Sequence, residues 1–161
     1  MNKKVIIGLG IGCAVLCIAS IIIVLIAGGV LIKWGLREPE NISISVDTPV
    51  QVTKDESVII EVQMENTATE SQLLHSIDIS SEYLAGIAIK EANPPFVESF
   101  LIPLFDIQSY TFEQEISPGT TLVLQFFGVA VKTGDFSGSI DVCINSGGIC
   151  TSFAARTVVE E

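Results

Sequence analysis

Histidine occurs once in the 161 residues, at His75, and tryptophan once, at Trp34. There is no G-x-S-x-G elbow, no glycine-rich phosphate loop and no H-E-x-x-H pair. The lone imidazole alternates with Leu73 and Ile77, so it reads as a residue in or bordering a core rather than a general base. Calcium needs convergent carboxylates, and no D-x-D-x-D-G loop supplies them. Glu113 and Glu115 would share one strand face at i, i+2, which is an ordinary polar face. We therefore expect no catalytic residue, no cofactor and no metal. A hydrolase whose carboxylates met only in three dimensions would leave no trace at this level.

Basic residues are scarce over most of the chain. From Glu38 onward there are 19 acidic side chains against four basic ones (Lys54, Lys90, Lys132 and Arg156), a net of −15. Such a surface repels nucleic acid and anionic lipid. It reads as the solubilising charge of an exported domain, with no nucleic-acid partner.

What the chain has in excess is one apolar run. Residues 5–32 contain no charged side chain. As a helix they would extend about 42 Å at 1.5 Å per residue, against a hydrocarbon core of about 30 Å. The expectation is a single membrane-spanning helix over residues 5–32, after a short cytoplasmic start at 1–4 and before a juxtamembrane linker at 33–40. Cleavage as a signal peptide is the first alternative, but its apolar core is normally roughly 7–15 residues. Acylation at Cys13 or Cys17 is the second, and neither is preceded by a Leu-small-Gly pattern. Lys3 and Lys4 favour an N-inside, C-outside orientation in the plasma membrane, with Trp34 at the outer interface. Gly8 and Gly12 form a G-x-x-x-G spacing that would allow weak self-association. Cys13 and Cys17, one turn apart, read as small apolar side chains.

Residues 41–159 alternate with period two. Residues 41–47 place Ile42, Ile44 and Val46 on one face. Residues 57–66 place Val58, Ile60, Val62 and Met64 opposite Glu61, Gln63 and Glu65. Further strands are expected at 73–79, 86–90, 109–115 and 122–131, the last with a bulge at Gly128. A final hairpin joins 139–144 to 149–159. Turns fall at Ser117-Pro118-Gly119-Thr120 and Lys132-Thr133-Gly134-Asp135. Short strands without helical periodicity between them indicate an all-β antiparallel sandwich of about 7–9 strands.

The strand ending Glu61-Val62-Gln63-Met64-Glu65-Asn66 resembles the second strand of bacterial immunoglobulin-like domains. The later order Ser117-Pro118-Gly119-Thr120-Thr121, a hydrophobic strand, then Gly134-Asp135-Phe136-Ser137-Gly138 is similar too. Over residues 41–159 the chain resembles the cell-adhesion-related and conserved-repeat domains of prokaryotic surface proteins, and more loosely fibronectin type III. That resemblance implies an immunoglobulin-like extracytoplasmic sandwich used for spacing, adhesion or assembly, and it carries no catalytic residues. A single copy beside a membrane departs from the family's tandem arrays.

Cys143 and Cys150 are symmetric about the Ser146–Gly147 bond, so a hairpin turning there sets them opposite each other, within disulfide reach. Two unlinked thiols are the alternative, and C-x6-C without a nearby His is poor zinc spacing. A disulfide requires an oxidising compartment. Residues 96–105, FVESFLIPLF, are unusually apolar for a segment following Pro94-Pro95. Crossing between sheets, they would fill the core. Exposed, Phe96, Phe100, Leu101, Ile102, Leu104 and Phe105 would form a partner-binding patch, and an unpaired edge strand would offer β-augmentation. The functional expectation is an envelope protein-interaction or assembly module. The alternative is a carbohydrate-binding module, which needs exposed aromatics in a shallow groove.

Overall fold

A computed structural model describes residues 39–146 and 148–161. The expected spanning helix at residues 5–32 and the Gly8–Gly12 contact lie outside them. Among the described residues no helix is long and apolar enough to cross a membrane.

The chain forms β1 (Ile42–Asp47), β2 (Gln51–Thr53), β3 (Ser57–Asn66), β4 (Gln72–Ser80), a one-turn helix α1 (Ser81–Leu84), β5 (Ile87–Asn93), β6 (Glu98–Ile102), β7 (Ile107–Ile116), β8 (Thr121–Ala130), β9 (Gly134–Ile144) and β10 (Cys150–Glu160). The strands make two sheets, β1-β3-β8-β5 and β2-β10-β9-β4-β7-β6. The all-β sandwich is as expected, but with ten strands rather than seven to nine. It is also not wholly antiparallel, because β2 runs parallel to β10. Both β2 and β6 escaped the period-two reading. The first is three residues long, and the second is apolar on both faces.

The core lies where the alternation put it. Val58, Ile60, Val62 and Met64 of β3 are buried, facing Ile77 and Ile79 of β4 and Ile140 and Val142 of β9 across the sandwich. Each such side chain contributes roughly 1.5–3 kcal/mol by leaving water. Three rings join the layers edge-on: Tyr110 and Phe112 of β7 lie 5.1 and 5.8 Å from Phe126 of β8. The expected bulge near Gly128 falls on its neighbour instead. The β5 register slips between Ile89 and Glu91, and a Cβ at Gly128 would approach Ala88 O to 2.8 Å.

The end where the chain comes in from Glu40 is tied by side-chain amides. Asn66 Nδ2 donates to Glu70 O at 2.9 Å and Ile116 O at 2.8 Å, and Asn66 Oδ1 accepts from Ala68 N. Gln72 Nε2 donates to Glu40 O at 3.0 Å, and Gln72 Oε1 accepts from Asn145 Nδ2 at 2.8 Å. Beside them Cys143 pairs with Cys150 in register and forms the expected disulfide, S–S 2.08 Å with Cα atoms 4.0 Å apart. Closing that loop contributes about 2.5 kcal/mol by chain entropy.

Candidate functional site

The segment at residues 96–105 does not fill the core as expected. The chain leaves β5 through the cis Asn93–Pro94 peptide and crosses to the other sheet. There Phe96 does turn inward, its ring 5.3 Å from Tyr110 and 6.5 Å from Phe112. From Val97 onward the apolar side chains are exposed: Phe100 43%, Leu101 52%, Leu104 84% and Phe105 68%. Ile102 is half-buried. Six strands face four, and β6 is the last strand of the wider sheet. The overhang explains why an apolar run ends up wet.

Register fixes the two faces of β6. Phe100 pairs with Ser109, and Ser109 with Asp78, which lies between the core residues Ile77 and Ile79. Phe100, with Glu98 and Ile102 at i ± 2, therefore faces outward, while Ser99 and Leu101 face the side of the opposing sheet. Leu104 and Phe105 sit in the turn between β6 and β7. That turn lies at the far end of the sandwich: Ser80 of β4 pairs with Ile107, whereas Gln72, which holds Glu40, pairs with Ile116. Nine residues of β4 separate these ends, about 27–30 Å of strand.

The outer face of the wide sheet carries a constellation that spacing did not reveal. Asp78 of β4 stands directly opposite Asp141 of β9. Asp78 Oδ1 accepts from Ser109 Oγ at 2.6 Å, and Asp78 Oδ2 lies 3.7 Å from Cys143 Sγ. Burial pushes the Asp78 carboxyl up. The hydroxyls of Ser109 and Ser76 oppose that rise, the Asp141 charge adds to it and the His75 charge opposes it. Asp141 Oδ1 is buried without a hydrogen-bond partner among the described residues. Two aspartates 63 positions apart meet only through the β4–β9 register, and no motif marks either.

His75 is half-buried where that register breaks. Phe112 and Glu113 of β7 together oppose it, with Glu113 at φ 52°. This bulge interrupts the strand face on which Glu113 and Glu115 were expected to lie. Among the described residues no three His, Cys, Asp or Glu side chains converge as metal ligands.

No protein-family model matches the chain, and no curated protein matches it in sequence. Solved structures do resemble it. The cupredoxin domain of amoB from Nitrosocaldus yellowstonii superposes with a TM-score of 0.51 at 9% identity, over 77% of this chain and 90% of that one. This likeness shows a shared β-sandwich fold. Weaker similarity reaches a protein of Corynebacterium diphtheriae described as membrane anchored (TM-score 0.46, 12% identity, 78% of this chain and 37% of that one). It also reaches the CARDB domain of PF1109 from Pyrococcus furiosus (TM-score 0.39, 12% identity, 73% and 94%).

Proposed function

We propose that the chain is a single-pass, membrane-anchored protein whose β-sandwich is an immunoglobulin-like interaction or assembly module outside the cytoplasm. The observation that carries this reading is the exposed apolar edge formed by β6 and the Leu104–Phe105 turn. Solvated apolar side chains gathered on an open strand edge match the way an extended partner segment is bound, by main-chain pairing with flanking apolar contacts. The turn lies at the opposite end of β4 from Glu40, the end toward residues 5–32. The Cys143–Cys150 disulfide suits an oxidising compartment. In this reading the module is not an enzyme, and its partner is an envelope protein.

The test is photo-cross-linking in intact cells from the full chain, with a photoreactive residue replacing Leu104 or, as the control, Val123 on the other sheet. We expect a discrete protein adduct from position 104 and none from position 123. No adduct from position 104 at native expression would overturn the reading.

A further inference from the structure

The sandwich has four sheet edges, and among the described residues only the β6 edge strand carries large exposed apolar side chains, Phe100 and Leu101. β2 is three residues long and runs into Lys54-Asp55. β5 is broken by its bulge, carries Lys90 and Glu91, and ends at Pro94-Pro95. β1 carries polar Ser43 and Ser45 on its outward face, ends on Asp47 and is followed by Pro49. Charges, bulges, brevity and proline are the ordinary devices against edge pairing. β6 has no lysine and no bulge, although Glu98 opens it and Pro103 follows its last residue. Among the described residues its outer edge is unpaired.

We infer that β6 pairs with β6 of a second copy of this chain, antiparallel about a two-fold axis at Phe100, and joins the two six-stranded sheets into one. The inference rests on the proposed interaction role and names its partner. Its warrant is the self-complementarity of the strand. An isologous contact must satisfy the same residues read in both directions. About Phe100, the sequence Glu98-Ser99-Phe100-Leu101-Ile102 sets Phe100 against the second copy's Phe100, Ser99 against the second copy's Leu101, and Glu98 against the second copy's Ile102. No two carboxylates face each other, although the chain from Glu38 onward carries a net charge of −15, and like charges directly opposite would oppose pairing. Asp106 lies beyond the paired segment, in the turn. A two-fold axis normal to the sheet keeps outer face on outer face, so Phe100 meets Phe100 and the overhanging Leu101 gains cover beside the second copy's Ser99. A five-residue edge gives a small interface and a weak dimer. Holding both copies on one membrane would raise their effective concentration.

The experiment uses the full chain in its membrane with Cys13→Ser and Cys17→Ser, so that an added cysteine reacts alone. Phe100→Cys with a short bis-maleimide should give a product of twice the chain mass containing only this chain. Its yield should be at least tenfold above that from Ile59→Cys, a comparably exposed position on the other sheet. Adding Ile102→Glu, which faces the second copy's Glu98, should lower the yield at least fivefold. Ile102→Lys at the same position should leave the yield unchanged or raise it. Equal losses from both Ile102 variants, or no self-product, would overturn the inference. A Phe100 product with a different protein would overturn it while leaving the interaction reading standing. The absence of any product at Phe100, together with no Leu104 adduct, would sink both.

Discussion

The two ends of the sandwich differ in what they leave in water. Where the chain comes in, side-chain amides and a covalent clip tie several strand ends together: Asn66, Gln72, Asn145 and the Cys143–Cys150 bond. At the far end, the β6–β7 turn holds Leu104 and Phe105 out in water. The polar end spends its hydrogen bonds on internal structure and exposes little apolar surface. The far end is tied as well, by Tyr83 Oη and Thr157 Oγ1 at 2.9 Å and by Ser81 N donating to Asp106 O at 2.9 Å, yet its β6–β7 turn leaves Leu104 and Phe105 exposed.

Three variants would break or sharpen this contrast. The largest effect is expected from Asn66→Ala. Asn66 is fully buried, and its loss strands Ile116 O and Ala68 N. Buried polar groups left without partners cost about 1–3 kcal/mol each, so we expect a loss of about 3 kcal/mol. It would be read as a lower urea midpoint at unchanged m-value.

An intermediate effect of opposite sign is expected from Asp78→Asn. The folded-state pKa of Asp78 is raised, chiefly by burial. Between its unfolded and folded values the native state binds more protons, so stability is highest below the unfolded pKa and falls as pH rises through the folded one. An amide keeps the bond to Ser109 and removes the charge opposite Asp141. The variant should gain on the order of 1 kcal/mol at pH 7 and show a flatter Tm profile between pH 4 and 7. A variant less stable than the parent at pH 7 would mean that the carboxylate is needed.

The smallest effect on stability is expected from Leu104→Ser with Phe105→Ser. Exposed positions away from caps and cores usually change stability by less than about 0.5 kcal/mol. The double variant should therefore melt with the parent while losing the adduct that the parent background forms from a photoreactive residue at Val97. A large drop in Tm would show that the turn is structural, and the contrast between the ends would collapse.

Much of this was legible in the residues. The alternation at 57–66 matched β3 to the residue, because one face of that strand is buried along its whole length. The cysteine pair followed from the symmetry of its hairpin. What failed depended on partners remote in sequence. β2 is a strand because β10, more than a hundred residues later, lies beside it. The Asp78–Asp141 pair exists because β4 and β9 align in one register and not its neighbour. β6 defied periodicity because a strand overhanging its opposing sheet has no dry face to pattern against. Its apolar content is visible in the sequence, but its exposure follows only from the six-against-four count.

The way the chain joins the sandwich bears on force. β1 begins at the tied end, where Thr67 N donates to Asn41 O at 2.9 Å, and runs along β3 through six register pairs from Ile42–Asn66 to Asp47–Glu61. A pull between Glu40 and a partner gripping the β6–β7 turn is directed along β1. It loads all six pairs together in shear, instead of peeling them one at a time. A module so strung would hold a weak partner under tension without unravelling from its own tether.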